Sequence, residues 1–427
     1  MFKKLLALTL TIVMIAALCV SFASCSLSSK KGEGEEILPR KEITSSVEIP
    51  ADFKIGLITL HDENSTYDKN FIDAFKQVCE AMGLVANTSY FIVSNIGENE
   101  QCYNTAVDLV QTKGCKVIFA DSFGHEEHMI RAAKEFPNVQ FCHATGTSSK
   151  QENLPNFHNA FAAIYEGRYL AGIVAGMKLN EMIESGKIKA EEAVIGYVGA
   201  FTYAEVISGL SSFFLGARSV CPSATMKVRF TGSWYDPTAE QEAANSLITL
   251  DKCVLISQHA DSLGAPTACQ KAGVPDVSYN GSTYAAGKDT WLVSSAINWA
   301  PYFQYIIEKT AQGQAFDTDW TGTIANNAVV LSGLNLDVIA DGTEEAVQTA
   351  LTGLKNGTIH VFDTSKFTVG GKTLTEYAAD IDGDYQPDEG VNVIHDGYFD
   401  ESNATDFRSA PYFDLTIDGI EFLNSKY

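Results

Sequence analysis

Apolar and polar residues come in repeating blocks along this chain. Phe53-Lys54-Ile55-Gly56-Leu57-Ile58-Thr59-Leu60 is a short apolar run, followed by the polar stretch His61–Asp68. Phe71, Phe75, Val78 and Met82 then recur at helical spacing. A short apolar run bounded by polar residues predicts a buried strand, and a 3.6-residue period predicts an amphipathic helix. The unit repeats. Strands are predicted at 89–93, 115–120 and 139–144, with helices around 102–112 and 129–135. A long helix around 166–179, rich in Gly and Ala, predicts close helix packing. Strands then resume at 194–199, 226–230, 253–257 and 276–280, with helices at 205–217, 238–249 and 265–272 between them. Strict strand–helix alternation implies parallel sheets with helices on both faces.

Two successive runs of these units predict an α/β chain of two doubly wound parallel-sheet lobes joined by a hinge, like type I periplasmic binding proteins. The first lobe is read as residues 51–163 with 297–323, and the second as 164–296 with 324–427. Residues 291–294 are a candidate hinge strand, and Ile297–Ala311 a helix returning to the first lobe. The segment from Asp363 is Asp- and Gly-rich, with short strands expected. In such sheets ligands sit beyond the carboxyl ends of the strands. The loops there are unusual for plain connectors. His61–Asp68 holds three acids, a His, an Asn, two hydroxyls and a Tyr, but no glycine to cradle phosphate. Asp121–His125, Gly232–Pro237 and Gln258–Ser262 also follow strands.

Composition narrows the partners. A net charge of −23 over 427 residues argues against nucleic acid and against adhesion to anionic lipid. The N-terminus reads as a targeting segment: Lys3-Lys4, an apolar run from Leu5 to Val20, then Phe22-Ala23-Ser24-Cys25. Residues 1–24 are read as a signal peptide, with Cys25 resembling the acylated cysteine of a bacterial lipobox. Residues 25–50, rich in Ser, Lys and Glu, are read as a flexible tether. The expected location is the outer face of the cell membrane, held by lipid alone. Of nine cysteines, seven lie beyond Cys25, dispersed in apolar contexts without CxxC spacing. They read as core residues rather than zinc ligands or a disulfide framework.

Several motifs in order resemble the basic membrane protein family of solute-binding lipoproteins, which includes purine nucleoside receptors of ABC transporters. They are Tyr165–Gly172, Gly196–Phe201, Gly232–Pro237, His259–Ser262 and Ser278–Asn280. The similarity runs from about Lys54 to Phe362. It implies capture of a purine nucleoside or base between the lobes, and delivery to a permease driven by an ATPase. A monomer without cofactor or catalytic activity is expected. By this resemblance Tyr67 stacks on the base, Ser122 and Phe123 form a second ligand loop, Trp234 and Asp236 serve from the second lobe, and Asp261 and Asn280 hold polar groups. Asp62 and Asn64 are further candidates. The chain departs from the family pattern at Ala200 and Ser282, and its ending is longer.

Each candidate has a plainer role. Tyr67 stands at i, i+4 to Phe71 and can simply begin the core face. Phe123 and Trp234 can pack on their neighbours. Asp261 can cap the helix at Ala265, and Ser65 or Thr66 the first helix. His61, His125 and His259 follow strands but lack metal-ligand spacing. Asp380-Ile381-Asp382-Gly383-Asp384 resembles a calcium loop, with its glycine too early and no glutamate at the twelfth position. A calcium-dependent nucleoside hydrolase and a surface adhesion or signalling lipoprotein are the alternative functions.

Overall fold

A computed structural model describes residues 32–424. Within them the chain builds two sheets. The first lobe has six parallel strands in the spatial order Asp319–Gly322, Phe157–Ala162, Gln140–Ala144, Val117–Ala120, Ile55–Ile58 and Tyr90–Val93. The second has eight strands. Its centre is parallel, running through Trp291–Ile297, Asp276–Tyr279, Leu255–His259, Val194–Gly199 and Thr225–Phe230. Val329–Asn335 and Glu33–Leu38 extend one edge antiparallel, and Ile420–Phe422 adds a parallel strand to the other. The fold is α/β with parallel sheets, and the second sheet is mixed at one edge.

Between strand Ile55–Ile58 and strand Val329–Asn335 the chain passes from one sheet to the other three times. It leaves strand Phe157–Ala162 for helix Ile164–Glu184 on the second sheet. It returns after Trp291–Ile297 into helix Ala300–Ala311, which packs on the first-lobe helix Thr66–Ala81. It crosses again from Asp319–Gly322 to Val329–Asn335. The crossings are tied together: Asn298 N donates to Ala328 O at 2.7 Å, and Ala163 N to Gly322 O at 2.7 Å.

Local packing explains the composition. Phe71 stacks on Trp299 at 4.2 Å, and Phe75 meets Phe303 edge-on at 5.1 Å, so the apolar stripe of Thr66–Ala81 is fully used. The small residues of Ile164–Glu184 admit helix Ala204–Val220 at very short range. A Cβ on Gly172 would lie 2.0 Å from Phe213 O, and one on Gly216 2.0 Å from Tyr169 O. Between helix and sheet, the fully buried Arg168 guanidinium is held without a carboxylate through its two terminal nitrogens, while its Nε has no hydrogen-bond partner. The terminal nitrogens donate to Tyr197 Oη (3.0 Å), Ser257 Oγ (2.8 Å) and Ser278 O (3.3 Å).

One expectation changes, and two strands had not been read. Part of the expected tether, Glu33–Leu38, is an edge strand, because its backbone pairs with Val329–Asn335 and Leu38 is buried. Two first-lobe strands had no apolar signature. Phe157–Ala162 carries His158 and Asn159 in its interior, both buried and hydrogen-bonded. Asp319–Gly322 has no run of apolar residues, and its Asp319 carboxylate accepts from Asn159 Nδ2 and Ser409. The chain beyond Asp363 has the short strands expected, Ile394–His395, Tyr398–Phe399 and Ile420–Phe422, and it is also packed: Phe362 stacks on Phe413 at 4.2 Å, and Tyr412 and Phe399 are buried beside it. Cys25 and the expected signal peptide lie outside the described residues. The seven later cysteines are all buried and unpaired. Among the described residues no helix is long and apolar enough to cross a membrane.

Candidate functional site

The carboxyl ends of both sheets face each other across a cleft. Its walls are Leu60, His61, Tyr67 and Asp68 from the first loop, Ser122 and Phe123 from the second, and Thr145 from the third. From the second lobe come Glu205, Trp234, His259, Asp261 and Tyr279. The lobes touch directly. Thr66 N donates to Asp261 O at 2.9 Å, the rings of His61 and Tyr235 lie 5.3 Å apart, and those of Phe123 and Tyr203 5.4 Å apart. The space left between them is about 20 Å³, room for roughly one water. This is a shut cleft.

The first loop is held by its own polar residues. Ser65 caps helix Thr66–Ala81, accepting from Asp68 N, and donates to Asp68 Oδ2 at 2.6 Å. The other Asp68 oxygen accepts from His61 N at 2.7 Å. Asp68 therefore shapes the loop. Tyr67 sits at the first turn. Its hydroxyl donates to Asp121 O at 2.8 Å and its ring meets Phe71 edge-on at 4.9 Å. It is thus both an edge of the core and a wall of the cleft. Ser122 donates to Glu98 at 2.6 Å, which fixes the loop carrying Phe123.

Across the cleft, Trp234 packs with Phe201 (5.0 Å) and Tyr203 (6.1 Å), and the Tyr203 ring joins Phe123 to this group. An aromatic wall therefore runs from one lobe to the other. Behind it lie polar groups that the protein leaves without partners. Tyr279 Oη, both nitrogens of His259, both amide atoms of Asn280 and Asp121 Oδ2 are buried and make no hydrogen bond. Unpaired buried polar atoms are costly, about 1–3 kcal/mol each; so many in one place mark a site that something else completes. Their ionisation is shifted accordingly. Burial raises Asp261 well above the usual carboxylate range, and the nearby carboxylates of Asp68, Glu240 and Glu205 add to it. Asp121 is raised the same way, by burial and then by Asp68. Burial lowers His259, whose Nε2 stands 3.6 Å from Glu205.

The sequence-derived candidates divide. Tyr67, Ser122, Phe123, Trp234 and Asp261 line the cleft, and Asn280 follows the lining residue Tyr279 in a left-handed conformation (φ 65°). Asp62 and Asn64 face elsewhere: Asn64 Nδ2 donates to Asp62 at 2.7 Å, and hydrogen bonds from Asn64 and Asn95 hold the Asp62 carboxyl below its usual value. They border a separate shallow depression with Lys76 and Ser94. Asp236 is committed as a helix cap, accepting from Thr238 N and Ala239 N. His259, Tyr279, Thr145 and Glu205 were not singled out as ligand residues. The first three end or follow strands, so the carboxyl-end rule applied residue by residue would have found them. His61 and His259 both line the cleft, but His125 is drawn off to Ile96 O at 2.9 Å. Asp380, Asp382 and Asp384 offer oxygens within 4.8 Å of one another. The loop's own backbone engages them: Asp380 accepts from Gly383 N and Tyr385 N, Asp382 from Asp384 N, and Asp384 from Gln386 N.

Two α/β lobes linked by several crossings, with a cleft at the strand ends, have the fold of periplasmic-binding-protein-like solute-binding proteins. The chain belongs to the family described as ABC transporter substrate-binding protein PnrA-like, whose model matches residues 56–365. That family is one of binding proteins rather than enzymes. Among curated relatives, a putative ABC transporter glucose-binding protein of Haloferax volcanii is 37% identical over 207 residues, 48% of this chain and 49% of the relative. A purine-binding protein of Brucella abortus is 32% identical over 254 residues, 58% and 66% of the two chains. The chain thus spans half to two thirds of these relatives. Among solved structures, a solute-binding protein from Conexibacter woesei superposes with a TM-score of 0.57 at 23% identity, covering 72% of this chain and 98% of that one. One from Aeropyrum pernix gives 0.58 at 12% identity, covering 76% and 94%. These two likenesses speak to the fold.

Proposed function

We propose that the protein is the ligand-capturing component of an ABC importer. It takes a purine nucleoside or purine base into the cleft and delivers it to a permease and its ATPase. On this reading it works as a monomer on the outer face of the cell membrane, anchored through acylated Cys25. The observation that carries the reading is the pairing of an aromatic wall, Tyr67, Phe123 and Trp234, with buried unpartnered donors and acceptors behind it. A purine has two apolar faces for aromatic rings and a polar edge that needs both donors and acceptors. The Asn280 amide offers both, and Asp261 can take ribose hydroxyls.

The shut cleft sets the mechanism. With room for about one water, the site admits a purine only when the lobes part, so binding requires hinge opening and closure around the ligand. Closure then desolvates the polar groups, which strengthens their hydrogen bonds. Catalysis has no part in this account: the buried acids hold the ligand and the loops in place. Glucose is the second reading of the cleft, favoured by the 37% identity to the relative named for that sugar. Mass spectrometry of small molecules released on denaturing the purified full chain tests the proposal. A purine or nucleoside is expected. A released hexose with no purine would favour the second reading, and free base with ribose appearing on incubation with nucleosides would point to a hydrolase.

A further inference from the structure

The chain beyond residue 365 lies outside the family match, yet it reaches the cleft. It spans both lobes. Ser409 Oγ bonds with Asp319, and Thr321 Oγ1 donates to Ser402 O at 3.0 Å in the first lobe. In the second, Ser208 Oγ donates to the buried Glu401 carboxyl at 3.0 Å. Where it passes the cleft mouth it encloses a second chamber of about 230 Å³, more than ten times the space between the lobes. Phe123, Thr145 and Glu205 line both spaces.

Two features of this chamber point to a ligand. The first is Arg408, 6% exposed, which lines it. Its Nε and Nη2 donate to Ala410 O (3.3 Å) and Pro411 O (3.0 Å), so the guanidinium is fixed. Its Nη1 is buried and makes no hydrogen bond; it is ion-paired with Asp380 Oδ1 at 3.7 Å, beyond hydrogen-bond length. The second is Tyr385. It is 70% exposed and held at φ 65°, a conformation that costs a non-glycine residue about 1–3 kcal/mol. The acidic loop makes this possible, since Asp380 accepts from Tyr385 N at 3.1 Å. The Asp380–Asp384 turn thus sets an exposed aromatic side chain at the chamber, which the partly exposed Tyr203 also lines.

Charge selects the ligand class. Glu205, Asp380 and Asp414 line the chamber against one arginine, which disfavours an anion. Arg408 Nη1, ion-paired but without a hydrogen bond, is open to an acceptor oxygen, which a cationic amine does not supply. A hydroxyl group both accepts from arginine and donates to carboxylates, and a sugar ring presents an apolar face to an aromatic. We propose that the chamber between the tail and the cleft is a second ligand site that takes a neutral saccharide, its ring against Tyr385 and a hydroxyl oxygen accepting from Arg408. The site does not rest on the purine reading, because the two residues that would hold the sugar, Tyr385 and Arg408, lie beyond the family match.

Calorimetric titration of the full chain with D-glucose, D-galactose, D-ribose and D-xylose tests this, with glucose 6-phosphate and glucosamine as charged comparators. At least one neutral sugar is expected to bind at one site per chain, more tightly than either comparator. Tyr385→Ala is expected to weaken it at least about three-fold, since aromatic contacts of this kind contribute about 0.5–1.5 kcal/mol. Tyr385→Phe keeps the face and keeps the affinity, and Tyr67→Ala leaves it within about two-fold. The proposal is overturned if no neutral sugar binds or if a charged comparator binds more tightly. It is also overturned if Tyr67→Ala weakens the sugar as much as Tyr385→Ala, which would place the sugar in the cleft. Tyr385 is largely exposed, so its variants keep the native melting temperature, and purine titrations of the same samples report the cleft separately.

Discussion

Replacing Tyr67 by alanine separates its two roles. On the proposed function the ring stacks on a purine, a contact of about 1–3 kcal/mol, which is roughly a 5- to 150-fold change in affinity. The residue also belongs to the fold. Its hydroxyl bond to Asp121 O, at 2.8 Å, contributes about 0.5–1.5 kcal/mol. Its edge contact with Phe71, at 4.9 Å, contributes a similar about 0.5–1.5 kcal/mol. Tyr67→Ala should therefore lower the stability of ligand-free protein by about 1–3 kcal/mol while weakening purine binding at least about five-fold. From the sequence alone a stacking Tyr67 would have left melting unchanged; the hydroxyl bond and the Phe71 contact are why it does not. Tyr67→Phe is the control. It keeps the ring and loses one hydrogen bond, so affinity stays within a few-fold while stability falls by about 0.5–1.5 kcal/mol. Denaturant melts and calorimetry on both variants read the two effects. Unchanged purine affinity in Tyr67→Ala, with stability lost, would show a core residue and sink the stacking argument.

Other consequences are equally direct. Gly172→Ala forces the two long helices of the second lobe apart, because its Cβ would meet Phe213 O at 2.0 Å; a loss of at least about 1–3 kcal/mol is expected in thermal melts. Burial raises the Glu401 carboxyl from 4.5 to about 7, so the folded state prefers its protonated form. Its stabilising effect is present below pH 4.5 and is lost as pH rises toward about 7. Glu401→Gln does not ionise, so its melting temperature relative to the parent should climb across that window; a flat difference would refute the assignment. The seven cysteines of the described chain are buried, and burial pushes thiols such as Cys115 up to about 12. A thiol reagent should label none of them in native protein and all of them after unfolding.

The central strands were legible because they are buried on both faces and therefore read as continuous apolar runs. Val194–Gly199 has the predicted bounds, and most others fall within two residues. Strands stabilised by polar side chains were not legible. His158 and Asn159 look foreign to a core until their partners at Asp317, Gln140 and Asp319 are in view. The edge strand Glu33–Leu38 depends on a partner about 300 residues away. In the site, aromatic residues in loops were visible as candidates. Asp236 was ambiguous by composition, although Pro237 at the first helical position already marked a cap. His259 and Tyr279 were hidden at the ends of apolar strands, where a polar residue looks like a boundary. The tail was opaque, because its packing depends on Phe413, Tyr412 and Ser409 meeting two different lobes.

The central claim is that the cleft closes on a purine and releases it unchanged. Calorimetric titration of ligand-stripped full chain with adenosine, inosine, guanosine, adenine, guanine and hypoxanthine tests it, with the products then analysed by mass spectrometry. The account predicts that at least one of these binds at one site per chain, is weakened by Tyr67→Ala, and is recovered intact. Absence of binding by every purine in the panel would contradict it.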